Sequence, residues 1–101
     1  GLGISLLEDN YKGYFNVRKG LVIKYVDPKS PAGKLGLKGM SRDARGRYYI
    51  GDVLLKLDGK EVNTYDDIYN LLENYKIGQE VSITYLRDEK SISTKITLTQ
   101  I

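Results

Sequence analysis

The sequence predicts an α+β domain: a small, partly open β-barrel or sandwich of five to six strands, capped by one short and one long helix. Three observations carry this. Short stretches rich in β-branched and aromatic residues recur along the chain. Only residues 65–75 show helical apolar periodicity over two turns. Turn dipeptides separate successive strands, with Asp58-Gly59 the strongest hairpin signal. At 101 residues the chain is expected to form a single domain, 1–101, able to bury one core without staples. It is also expected to be a fragment of a larger protein.

Each element has a local reason. Ile4-Ser5-Leu6-Leu7 is a short strand, and the polar residues 8–19 read as a loop. Gly20 to Val26 is a buried strand stopped by Asp27-Pro28. Ser30 caps a very short helix, Pro31 suits its first position, and Gly36 supplies the left-handed residue that ends it. Residues 38–50 form a Gly-, Arg- and Lys-rich connection. Val53–Leu57 and Lys60–Val62 pair across the Asp58-Gly59 turn. Ile68, Leu71, Leu72 and Tyr75 make one apolar stripe on the long helix, which Thr64 and Asp67 open as a capping box. Val81–Tyr85 and Ile92–Leu98 alternate with period two and turn at Arg87-Asp88-Glu89-Lys90, giving a final antiparallel pair.

Composition narrows the chemistry. The chain has neither cysteine nor histidine. Disulfides, thiolate metal sites, cysteine nucleophiles and the usual base of a Ser-His-Asp site are therefore excluded. No catalytic residue, metal site or cofactor is expected, and this fragment is not expected to be an enzyme. No run of eighteen apolar residues is present, so no membrane insertion is expected. The net charge is +3, and Lys38, Arg42, Arg45 and Arg47 against Asp43 account for the formal excess. That is a local basic loop, not a global field, and nucleic acid is not expected as a partner.

The order and spacing of these pieces resemble a PDZ domain, specifically the circularly permuted bacterial and organellar form attached to HtrA/Deg serine proteases. "GLGI" (1–4) is similar to the family's carboxylate-binding loop. "GLVIKYVDPKSPAGKLGL" (20–37) is similar to its strand, turn and short helix. "IGDVLLKLDGKEV" (50–62) matches the Gly-Asp strand and hairpin, and "YDDIYNLLENYKIGQEVSITYLRD" (65–88) the groove helix, link and strand. The insertion "KGMSRDARGRYYI" (38–50) departs from the short link usual in the family and resembles the cyanobacterial and chloroplast Deg branch.

The resemblance implies a peptide-binding module. A peptide carboxylate would meet backbone N–H groups of Leu2, Gly3 and Ile4 curled into a nest, with Gly3 as the point that must bend. The peptide would add as a strand to Ser5, Leu6 and Leu7. Tyr65, Ile68, Tyr69 and Leu72 would form the facing groove, with Ile4, Leu6 and Leu72 flooring an apolar terminal pocket. Plain core packing is the competing reading of Ile68, Leu71 and Leu72. The helix begins with Tyr65 where Ser/Thr-preferring scaffold domains have histidine, so an apolar or aromatic peptide residue is expected there. Affinity should be micromolar, roughly −6 to −8 kcal/mol.

The implied partners are peptides or unfolded substrates with apolar C-termini and the protein's own protease domain, in a homo-oligomeric parent. The implied compartment is extracytoplasmic, in the periplasm or cell envelope, or an organelle lumen. Arg42, Arg45, Arg47 and Tyr48 read either as a solvated loop or as an inter-subunit contact. Two alternatives stand beside this reading. One is a PDZ domain of a tail-specific protease, site-two protease or secretion component. The other is a subunit-assembly module without carboxylate recognition.

Overall fold

The computed structural model describes residues 2–99. Its elements, in chain order, begin with β1 (Ile4–Leu6), a 3-10 helix (Asp9–Phe15), β2 (Leu21–Val26) and α1 (Pro31–Lys34). They continue with β3 (Ser41–Arg42), β4 (Tyr48–Tyr49), β5 (Val53–Leu57) and β6 (Lys60–Glu61). α2 (Tyr65–Leu72), β7 (Glu80–Arg87) and β8 (Lys90–Thr97) complete the chain. Six strands form one antiparallel sheet in the order β1-β2-β5-β7-β8, with β6 paired to β5. The α+β class and the strand order along the chain agree with the expectation from sequence.

Burial follows the alternation of the strands. Leu21 and Ile23 of β2 and Leu54 and Leu57 of β5 face the main core with Val62, Ile68, Val81, Ile83, Tyr85 and Ile96. Val22 and Val53 point the other way and build a smaller cluster with Leu7. β2 therefore reads as a continuous apolar run because both of its faces are covered. α2 lies over the main core through Ile68, with Leu71 and Leu72 packed against its margin.

The local punctuation works as the sequence indicates. The Ser30 hydroxyl accepts from the Gly33 N–H at 3.2 Å, and Gly36 takes φ +82°. Thr64 and Asp67 form the reciprocal capping box. Asp58 and Gly59 take φ 51° and 78°, the turn that matches the twist of a two-residue hairpin. Asp88 and Glu89 adopt the same left-handed geometry at the β7–β8 turn without a glycine.

Three expectations need correction. Residues 8–19 are not an unstructured loop. The Lys12 ammonium reaches across to the Gly20 and Asn63 carbonyls, at 2.9 and 2.5 Å, and pins the 3-10 helix to the sheet. Residues 38–50 contain the two-stranded β3–β4 hairpin, in register Ser41 to Tyr49 and Arg42 to Tyr48. α2 ends at Leu72, so Tyr75 of the apolar stripe sits in the turn that follows, still packed on the core.

One ion pair, with a buried carboxylate and a half-buried guanidinium, binds these parts together. Asp52, at the start of β5, is fully buried. Arg87, at the end of β7, clamps both its oxygens at 2.7 and 2.6 Å and donates to the Gly36 carbonyl at 2.8 Å. Asp52 also accepts from the Lys38 N–H at 2.8 Å. The α1 terminus, the start of the insertion, β5 and β7 thus meet at one carboxylate. Truncating Arg87 to leucine strands that charge, and should lower the unfolding free energy by about 3 kcal/mol. Urea denaturation of R87L measures this. A change under about 0.5 kcal/mol would show that the pair does not hold the fold.

Candidate functional site

The site is built on the free edge of β1. This strand pairs only with β2, so its other side has no strand neighbour among the described residues. The Gly3 carbonyl accepts from the Asp27 N–H at 3.0 Å, which fixes the Gly3–Ile4 peptide plane against β2. That peptide is trans, so the Ile4 N–H on the same plane points the opposite way, out of the sheet. At the other end the Leu7 N–H donates to the Val22 carbonyl at 2.8 Å, which turns the Leu6 carbonyl outward as well. Ile4 and Leu6 thus face the open edge, as the alternation of an antiparallel ladder requires.

Facing that edge across a groove of about 650 Å³ is α2. Leu2, Gly3, Ile4, Ser5 and Leu6 line the groove on one side, and Tyr65, Ile68, Tyr69 and Leu72 on the other. Nine of the ten residues expected from sequence therefore come together. Leu7 does not: it lies past the end of β1, with its side chain buried beside Val22 and Val53 on the opposite face. Ile68 is nearly fully buried, so it serves both as core residue and as groove floor. Gly1 lies outside the described residues.

Gly3 takes the bent backbone expected of it, and a second constraint adds to that. Its φ is +78°, and an added Cβ would stand 2.2 Å from the Ser30 Cβ. The second constraint is the close approach of the α1 cap. Gly3→Ala should therefore disturb the loop itself. It is expected to weaken ligand binding at least tenfold while leaving the β7–β8 amides unshifted in an NMR spectrum; binding equal to wild type would contradict this role.

Tyr65 is the most constrained side chain of the groove. Its N–H donates to Asp9 Oδ2 at 3.2 Å, and its hydroxyl donates to the Leu6 carbonyl at 2.5 Å. Tyr69 stacks on it, with ring centroids 6.0 Å apart and planes at 23°. Burial, and then the neighbouring Tyr69, Glu8 and Asp9, push the Tyr65 phenol above its ordinary value, so it remains a donor. Sequence reading missed Tyr25, Asp27, Lys29, Ser30 and Pro31, which complete the loop end of the groove. The "DPKSP" turn was legible, but nothing local shows that it folds against Gly3. The Asp9 Oδ1 atom is buried and has no hydrogen-bond partner.

The second candidate region, Arg42, Arg45, Arg47 and Tyr48, lies on the β3–β4 hairpin, and all four are exposed. Its geometry is organised by Asp43, which accepts from the Arg45 and Arg47 N–H groups at 2.9 Å and from the Tyr49 hydroxyl at 3.2 Å. The Arg42 guanidinium lies 5.2 Å from the Tyr48 ring centroid. The Arg47 N–H, with the other donors, holds the Asp43 carboxyl below its usual value. A depressed folded-state value means the contribution is present above the ordinary carboxylate range and is lost as pH falls through the folded value. Acidification below that range, or D43N at neutral pH, should lower the protection of the Arg45 and Arg47 amides relative to their intrinsic exchange at the same pH. Unchanged exchange in D43N would contradict the role of the carboxylate.

Comparison with known proteins agrees with this geometry. The family model of the PDZ domain matches residues 1–98. The chain is 33% identical over 97 residues to Protease Do-like 1, chloroplastic, of Arabidopsis thaliana, covering 96% of this chain and 22% of that protein. It is 34% identical over 86 residues to a probable periplasmic serine protease do/HhoA-like of Haemophilus influenzae, covering 83% and 16%. A solved structure described as HtrA-type protease AlgW with decapeptide superposes with a TM-score of 0.70 at 22% identity, covering 98% of this chain and 28% of that one. The chain belongs to the PDZ domain family, and its relatives are serine proteases of the HtrA/Deg type. It spans about a fifth of the length of those relatives.

Proposed function

We propose that this domain binds the C-terminal or extended apolar segment of a peptide by strand addition to β1. It would serve as the substrate-tethering and regulatory module of an HtrA/Deg-type serine endopeptidase. The observation that carries the reading is the open β1 edge facing α2, with the Ile4 N–H turned into the groove. A peptide running antiparallel to β1 would pair its last residue with Ile4. The terminal carboxylate would accept from the Ile4 N–H, and the last peptide N–H would donate to the Ile4 carbonyl. Leu2 and Gly3 sit at this end and would supply the remaining backbone donors of the nest. Ile4, Leu6, Ile68 and Leu72 make the adjoining wall apolar and favour an apolar final side chain.

On this reading residues 1–101 form a single PDZ domain of a larger protein whose catalytic residues lie outside it. The relatives' names support a protease parent, in a periplasmic or organellar setting. A homo-oligomeric parent is part of the same proposal. The hairpin offers a second surface: exposed Arg42, Arg45, Arg47 and Tyr48, held in a fixed frame by Asp43, would contact the protease domain or a neighbouring subunit. The peptide bound in the HtrA-type AlgW structure supports peptide recognition as the primary role.

The test compares one apolar peptide as its free acid and as its C-terminal amide. Hydrogen bonds to a charged acceptor are each stronger than neutral ones. The free acid should bind at least about tenfold more tightly, equivalent to roughly 1.4 kcal/mol. Equal affinities would leave the groove as an edge-binding site without carboxylate recognition.

A further inference from the structure

We infer that Tyr65 removes one main-chain contact from peptide recognition in this groove, by occupying the one edge acceptor that the third residue from the peptide's end would otherwise use. The inference rests on the peptide-binding reading above and deepens it. Strand addition at a free edge needs the outward carbonyls of alternate residues, here Ile4 and Leu6. The Ile4 carbonyl belongs to the last peptide residue. Counting back two residues on an antiparallel partner brings the third residue from the end opposite Leu6, where its N–H would donate to the Leu6 carbonyl.

That carbonyl is already taken. The Tyr65 hydroxyl donates to it, and the ring is held in place from two sides, by Asp9 on its own backbone N–H and by the stacked Tyr69 ring. An ordinary peptide residue must displace the hydroxyl or share the oxygen with it. It therefore gains little from its own N–H. A linkage with no N–H at that position, such as a backbone ester, leaves the Tyr65–Leu6 hydrogen bond intact and loses little. The groove should thus be insensitive to removal of that N–H, which a strand-addition site with an open acceptor would not be.

The test is a cycle on the isolated domain, with wild type and Tyr65→Phe against labelled heptapeptides that share an apolar final residue. The third residue from the end is alanine, or an alanine whose backbone amide is replaced by an ester, which removes only the N–H. Wild type should bind both within about twofold. Tyr65→Phe keeps the ring but frees the Leu6 carbonyl. It should bind the alanine peptide about fivefold more tightly than the ester peptide, the size of one net neutral hydrogen bond. Equal losses for the ester in both proteins, or equal binding of the two peptides by Tyr65→Phe, would overturn the inference while leaving peptide binding intact. Failure of both proteins to bind any heptapeptide would overturn the binding reading, and this inference with it.

Discussion

The groove depends on the orientation of one peptide plane, the one joining Gly3 to Ile4. Its carbonyl is fixed to the Asp27 N–H, and the Ser30 hydroxyl stands 3.4 Å from the same oxygen. Because the plane is trans, that anchor aims the Ile4 N–H into the groove. Only glycine permits it: φ is positive, and the α1 cap stands where a Cβ would go. Ser30 serves twice here, capping α1 and backing Gly3. The short helix is therefore part of the site, which its first residue, Pro31, and the preceding Lys29 and Ser30 line.

The remainder of the fold keeps that edge open and its opposite wall in place. The Asp52–Arg87 pair ties the end of α1 to β5 and β7, away from the ligand edge. Lys12 fixes the 3-10 helix to the carbonyls of Gly20 and Asn63, and Asn63 directly precedes the Thr64 cap of α2. Asp9 of the same 3-10 helix holds the Tyr65 N–H. The segment between β1 and β2 therefore positions the start of α2 relative to the β1 edge. Lys12, mostly buried and satisfied by carbonyls, thus ties the 3-10 helix to the residue that precedes α2.

Much of this was legible in the residues. Periodicity located α2 and the β7–β8 pair, and the Ser30-Pro31, Thr64/Asp67 and Asp58-Gly59 signals marked the start of α1, the start of α2 and the β5–β6 turn, because each acts within a few positions. The 3-10 helix was not legible. Its stability comes from Lys12 reaching residue 63, a contact 51 positions away in sequence. The β3–β4 hairpin was equally hidden, since Asp43 organises it through backbone donors that any residue could supply. Within the site, Tyr65 was identified as a groove residue by position. That its hydroxyl closes on Leu6 depends on the packing of α2 against β1, which no local pattern encodes. Leu7 was misplaced because side chains alternate along the strand: Ile4 and Leu6 meet the main core, while Leu7, one residue on, is buried with Val22 and Val53 on the opposite face.

The most direct measurement is an amide-resolved NMR titration of the 15N-labelled domain with an apolar peptide bearing a free carboxylate, read together with intermolecular NOEs. The expected result is a large downfield shift of the Ile4 amide proton, smaller shifts along α2 from Tyr65 to Leu72, and peptide NOEs to Ile4 and Leu6. Saturable binding with shifts confined to the β3–β4 hairpin, and none at Ile4, would contradict a carboxylate site on the β1 edge.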